Sequence, residues 1–165
     1  MGIDHPRAIV ERVAESLLRR DERLGVAESC TGGMIAEWLT DLPGSSRWFE
    51  CGWVTYSNAA KEALLDVPGE TLARDGAVSG PTVLAMTAGV LRHARTQWAV
   101  AVSGIAGPSG GTVDKPVGTV WIAWRGAKTV ASASRFQFPG SRAEVRTQTA
   151  AAALAGLLDL ISSPA

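Results

Sequence analysis

The stretch Trp98-Ala99-Val100-Ala101-Val102-Ser103 constrains the fold more than any other part of the chain. A nearly continuous apolar run fits a strand covered on both faces, because a strand with one wet face alternates apolar and polar residues. Such a strand needs a layer above it and a layer below it, and amphipathic helices are the usual cover. Leu24 to Ala27 reads as a second, shorter buried strand. Helical patterning surrounds both. Ile9, Val13 and Leu17 recur every four residues, with Arg12, Glu15, Arg19 and Arg20 on other faces. Met34 to Leu42 reads as a helix stopped by Pro43-Gly44, and Ser57-Asn58 caps a short helix carrying Lys61, Leu64 and Leu65. Pro81 opens a longer helix that runs through Val83, Met86 and Val90 to about Arg95.

The remaining segments complete a mixed sheet. Trp48 to Tyr56 is rich in aromatic and β-branched residues and reads as a strand. Val117 to Trp124 and Thr129 to Phe138 read as an antiparallel pair turning at Arg125-Gly126-Ala127, after a glycine-rich loop from Gly104 to Gly118. Ser141 and Glu144 form a capping box for a last helix through Val145, Leu154, Leu157 and Ile161, with Ser162 to Ala165 expected to fray. Helices alternating with strands and closed by one hairpin predict a single three-layer α/β/α domain over residues 1–165, around a mixed, partly antiparallel sheet. The six tryptophans are scattered, and most are expected in the core.

Charge and cysteine usage narrow the partners. Lys+Arg and Asp+Glu balance at 16 each, which lacks the basic excess that neutralises nucleic-acid phosphates and favours a small-molecule partner. No apolar run approaches the roughly 20 residues of a membrane span, and no signal peptide is read at Met1 to Pro6. Cys30 and Cys51 form no C-x-x-C pair; the sequence leaves a disulfide between them open, but two cysteines in an otherwise unstapled domain more often mean reduced thiols in a cytoplasmic protein. With His5 and His93 the only histidines, no metal site is expected.

The chemistry concentrates where the first buried strand turns into a helix, at Ala27-Glu28-Ser29-Cys30-Thr31-Gly32-Gly33. Free N–H groups and the dipole of a helix start favour an anion there. The turn is not a Walker A loop, nor G-x-G-x-x-G, nor the G-x-S-x-G of a nucleophile elbow. Ser29 also reads as a plain helix cap. As nucleophiles Ser29 and Cys30 compete, but a cysteine hydrolase pairs its thiol with a histidine, and His5 and His93 both read as surface residues. A serine–lysine pair needs instead a lysine kept partly neutral. Lys128 falls in the hairpin turn and Lys115 in the glycine-rich loop, whereas Lys61 follows Tyr56-Ser57-Asn58 at a strand-to-helix junction that can face a cleft. A second loop after a buried strand, Ser103-Gly104-Ile105-Ala106-Gly107-Pro108, lets backbone approach a ligand. Arg142 and Arg146 share a face of the last helix, suited equally to an anion and to solvent.

These segments, with Val54-Thr55-Tyr56-Ser57-Asn58, Gly76-Ala77-Val78-Ser79 and Lys115-Pro116-Val117-Gly118-Thr119-Val120-Trp121, resemble the CinA C-terminal domain family from about Ala8 to about Leu160. The resemblance implies hydrolysis of the carboxamide of nicotinamide mononucleotide to nicotinate mononucleotide and ammonia, with neither cofactor nor metal. It implies Ser29 as nucleophile and Tyr56 and Lys61 as its proton-handling partners. Thr31, Gly32 and Gly33 then flank the nucleophile, Ser103, Gly104, Ile105, Ala106 and Gly107 contact the nucleotide, and Arg142 and Arg146 lie near its phosphate. The amides of Thr31-Gly32-Gly33 serve either an oxyanion or the phosphate. The family further implies a homodimer. The alternative from another class is a non-catalytic nucleotide-binding module in a competence-related or regulatory complex, against which the Ser29, Tyr56 and Lys61 set argues.

Overall fold

The computed structural model describes residues 6–163 and builds them around one five-stranded sheet. In chain order the elements are α1 (Pro6–Arg20), β1 (Leu24–Glu28), α2 (Met34–Thr40), a 3₁₀ turn (Ser45–Arg47), β2 (Phe49–Val54), α3 (Asn58–Leu65), α4 (Gly69–Asp75), α5 (Gly80–Ala94), β3 (Trp98–Gly104), β4 (Thr119–Gly126), β5 (Ser132–Gln137) and α6 (Arg142–Ser162). The strand order is β2-β1-β3-β4-β5, with β2, β1 and β3 parallel and the β4–β5 hairpin antiparallel. The expected α/β/α architecture and mixed sheet are both present.

The two faces of the sheet differ in side-chain size, and that difference places the helices. On one face Leu24, Val26, Val100, Val102, Val120 and Ile122 pack against α1, α2 and α6 through Val13, Leu17, Ile35, Leu154 and Leu157. Each aliphatic side chain buried here contributes about 1.5–3 kcal/mol. On the other face the strands present Ala27, Ala99, Ala101 and Ala123 to Val83, Met86 and Val90 of α5. Small residues let α5 lie close to the strands. A Cβ on Gly25 would stand 2.7 Å from Val90 Cγ1, and one on Gly89 would stand 2.1 Å from the Leu65 carbonyl oxygen. Gly89 therefore lets α5 press directly on the end of α3.

Several boundaries differ from the sequence reading. The short helix α4 was not anticipated. It follows Val67-Pro68 and runs only from Gly69 to Asp75, too few residues for an amphipathic period to show. The strand read over Trp48 to Tyr56 spans Phe49–Val54, and that read over Thr129 to Phe138 spans Ser132–Gln137. Of the tryptophans, Trp48, Trp98 and Trp124 are buried, while Trp38, Trp53 and Trp121 are half-buried. The Ser141–Glu144 capping box is formed as expected, and α6 continues through Ser162. The reading of Met1 to His5 and the fraying of residues 164–165 lie outside the described residues. Among the described residues no helix is long and apolar enough to cross a membrane.

Candidate active site

Three hydroxyl residues end three neighbouring parallel strands. Glu28 pairs with Val54 on one side and Val102 on the other, so the next residues in register are Ser29, Thr55 and Ser103. The ladder continues into them: Ser29 N–H donates to the Val102 carbonyl (3.1 Å) and Thr55 N–H to the Glu28 carbonyl (2.9 Å). All three are buried. This is the carboxyl edge of the parallel strands, where open α/β sheets form their ligand crevices.

Lys61 reaches this row from α3. Ser57 caps that helix by accepting from Ala60 N–H (3.0 Å), starting it shortly after β2 and placing Lys61 on its first turn. The Lys61 side chain has 0% exposure. Its Nζ donates to the Thr55 carbonyl (2.7 Å) and to Ser29 Oγ (3.1 Å), and no ion pair among the described residues includes it. Burial pushes the Lys61 amine below the ordinary lysine range, with the neighbouring Cys30 opposing the shift. An amine that sheds its proton readily can take one from Ser29 Oγ across the same contact.

The residue that sequence reasoning missed stands just before Ser29, at the end of β1. Glu28, only 1% exposed, turns its carboxylate under the start of α2. It accepts from the Thr31 hydroxyl (2.5 Å) and from the N–H groups of Gly33 (3.1 Å), Ile35 (3.1 Å) and Ala36 (2.8 Å). The donors that a helix start leaves open are thus filled by the chain's own anion. Gly32 N–H is also occupied, by the Ser29 carbonyl (3.0 Å). Ser29 does not cap α2. Gly33 occupies that position in the left-handed region (φ 104°), without a side-chain bond. The Cys30 N–H turns to its own thiol, while the Thr31 N–H makes no hydrogen bond among the described residues. The missed signal was an acidic residue ending the strand that leads into the turn.

The two arginines do different things. Arg146, half-buried, donates from Nε to the Cys30 carbonyl (3.1 Å) and from Nη2 to the Thr31 carbonyl (2.9 Å). Arg142 is exposed and donates from Nη1 to the Gly107 carbonyl (2.9 Å) and from Nη2 to the Tyr56 hydroxyl (3.0 Å). Tyr56 is itself 61% exposed, and its hydroxyl meets Arg142 rather than Ser29 or Lys61.

The loop after β3 also divides. Gly104 closes the strand, and Ile105 is stitched to the start of β4 through Thr119 and Gly118. The Ala106 side chain is buried in the core cluster that also holds the apolar side chains of α6. Gly107 holds φ 80°, and a Cβ there would stand 2.4 Å from Val117 Cγ1. Lys115 ties the far side of this loop to the Asp75 carbonyl (2.9 Å), while Lys128 is exposed in the hairpin turn. His93, expected at the surface, sits there with its Nε2 2.7 Å from an Asp66 carboxylate oxygen.

Both cysteines are free thiols. Burial pushes the Cys30 thiol up to about 12, so it is held as the unreactive thiol. A cleft of about 600 Å³ between α1 and α2, lined by Val10, Glu37, Trp38, Asp41 and Leu42, shares no residue with the Ser29–Lys61 pair.

Comparison with known proteins identifies the family. The family model "CinA C-terminal domain" matches residues 6–161. A Pseudomonas putida protein named nicotinamide-nucleotide amidohydrolase PncC is 51% identical over 158 residues, covering 96% of this chain and 98% of its own. The Escherichia coli K12 protein of the same name is 51% identical over 144 residues, 87% of each chain. Among solved structures, a CinA superfamily protein from Klebsiella pneumoniae superposes with a TM-score of 0.92 at 38% identity, covering 96% of this chain and 99% of its own. With the family model spanning nearly all its described residues and the Pseudomonas putida relative matched over 98% of its length, the chain belongs to the CinA C-terminal domain family.

Proposed function

We propose that this protein hydrolyses the carboxamide of nicotinamide mononucleotide, releasing nicotinate mononucleotide and ammonia, with Ser29 as nucleophile and Lys61 as its base. The observation that carries the proposal is the buried, unpaired Lys61 amine 3.1 Å from Ser29 Oγ. The names of the relatives at 51% identity support the substrate class.

In the first step Ser29 Oγ attacks the amide carbon while its proton passes to Lys61 Nζ. The carbonyl oxygen gains the negative charge, and the open N–H of Thr31 is the donor best placed to receive it, since those of Cys30, Gly32 and Gly33 are occupied. Collapse breaks the C–N bond, and Lys61 returns its proton to the departing nitrogen as ammonia leaves. A water then attacks the acyl-serine, giving one proton to Lys61. The second collapse breaks the ester bond and returns that proton to Ser29 Oγ. Thr55 contributes through its carbonyl, which holds Nζ in place. Ser103 and Gly107 border the nucleotide, with Arg142 free to exchange its neutral contacts for the phosphate. That exchange would release the Tyr56 hydroxyl toward the reacting groups.

Ammonia release from nicotinamide mononucleotide by the purified protein tests the activity. Loss of turnover in both Ser29→Ala and Lys61→Ala is the expected result. Near-normal turnover in both would overturn the mechanism, and tight binding of the nucleotide without ammonia would replace the enzyme by a binding module.

A further inference from the structure

Arg146 grips the nucleophile turn from the side opposite the base. α6 packs on the sheet face lined by Val100 and Val102, whereas Lys61 approaches Ser29 Oγ from α3, which packs with α5 on the other face. From the α6 side, Arg146 Nε and Nη2 hold the carbonyls of two consecutive residues, Cys30 and Thr31. A trans peptide points its N–H opposite to its C=O. Drawing the Cys30 carbonyl toward α6 therefore turns the Thr31 N–H away from α6, to the side where Ser29 Oγ lies. That N–H makes no hydrogen bond among the described residues. The side-on edge of the Arg146 guanidinium, the edge that would clasp a phosphate in two parallel bonds, is already used on backbone.

We infer that Arg146 is a positioning residue that aims the Thr31 N–H at the oxyanion of the reacting amide, and that it is not the phosphate ligand of this site. The inference rests on the amidohydrolase reading above. A lysine in its place keeps the charge but reaches only one carbonyl, so the peptide loses its fixed direction. Removal of an oxyanion donor slows enzymes by about 100- to 1,000-fold, and misdirecting one short of removal points to a loss of about 10- to 100-fold in kcat.

The experiment compares wild type with Arg146→Lys, and with Arg146→Gln should the lysine variant not fold, on nicotinamide mononucleotide and on nicotinamide riboside, which lacks the phosphate. The expected result is an equal fall in kcat on both substrates, with the preference for the phosphorylated one preserved and KM little changed. A collapse of that preference, with riboside turnover intact, overturns the inference by making Arg146 a phosphate ligand. A lowered melting temperature with unchanged kcat per folded molecule overturns it by making the contact merely structural. Wild type that releases ammonia from neither substrate defeats the amidohydrolase reading instead. The inference is then read from Ser29 labelling by a fluorophosphonate, whose phosphoryl oxygen needs the same donor. Slower labelling in the variant supports it, and equal rates, or none in wild type, overturn it.

Discussion

Replacing Lys61 with methionine separates what the amine does for chemistry from what its burial does to the fold. Methionine matches the length of the stem, suits an apolar site and does not titrate. Loss of a general base slows turnover by about 100- to 10,000-fold, and that alone is a routine result. The sharper consequence is in stability. The Lys61 amine lies below the ordinary lysine range because it is wholly buried, whereas an unfolded lysine keeps its proton up to about pH 10.4. Between the lowered folded value and about 10.4 the unfolded chain binds one proton more than the native one, so native stability climbs with pH by about 1.4 kcal/mol per unit. Below that window the penalty for burying the amine is constant, and above it the penalty is gone. The methionine variant has no such term.

Methionine also leaves the Thr55 carbonyl and Ser29 Oγ without their donor, at about 1–3 kcal/mol for a group left unsatisfied. That loss does not depend on pH, so it sets the offset between the two proteins and not the slope. For a domain of this size 1 kcal/mol moves the melting temperature by about 2–4 °C. Within the window wild type should therefore gain roughly 3–6 °C on the variant per pH unit. Parallel thermal melts from pH 7 to 10.5 measure it. Other groups cancel in the difference, and Cys30, the thiol coupled to Lys61, stays protonated with a value of about 12. Melting curves that run parallel across the alkaline range would refute the reasoning, because Lys61 would then titrate alike in both states. Over the same range the hydrolysis rate of wild type should rise as Lys61 loses its proton, at lower pH than a solvated lysine would give.

The buried thiol and the close helix contact give two further outcomes. Iodoacetamide at pH 8 should modify the half-buried Cys51 and spare Cys30 in the native protein, read by peptide mass spectrometry, with both labelled after unfolding. Gly89→Ala, which a helix interior would otherwise welcome, should destabilise the protein by about 1–3 kcal/mol. Its Cβ would meet the Leu65 carbonyl oxygen at 2.1 Å. Because that carbonyl ends the helix carrying Lys61, turnover should fall with the melting temperature, and a variant melting at the wild-type temperature would contradict the packing.

The layered architecture was legible because its causes are local. Trp98 to Ser103 had to be covered on both sides, and the four-residue spacing of Ile9, Val13 and Leu17 supplied one of the covers. Ser29 stood out as one candidate beside Cys30 at the end of a buried strand, a position where it read equally well as a plain helix cap. What made Lys61 special was not visible along the chain. An isolated lysine in a short amphipathic segment reads as surface, and its burial depends on Gly89 letting α5 close over the end of α3 from residues far downstream. Glu28 was hidden for a related reason. Its four partners lie three to eight residues ahead, and only the fold of the turn decides that the carboxylate bends under the helix rather than into the crevice. The same bend takes up the Gly33 amide, and the Ser29 carbonyl takes that of Gly32.

The row formed by Ser29, Thr55 and Ser103 makes catalysis a report on assembly. Its members are far apart in the chain and come together only when β2 and β3 have both docked on β1 in the right alignment. A slip of β2 by one residue would turn its side chains to the opposite face and carry the Thr55 carbonyl away from Lys61. Contacts of such long sequence separation form late and slowly in folding. Recovery of hydrolysis after dilution from denaturant should accordingly lag behind recovery of helical signal, and the interval between them would time the alignment of the parallel strands.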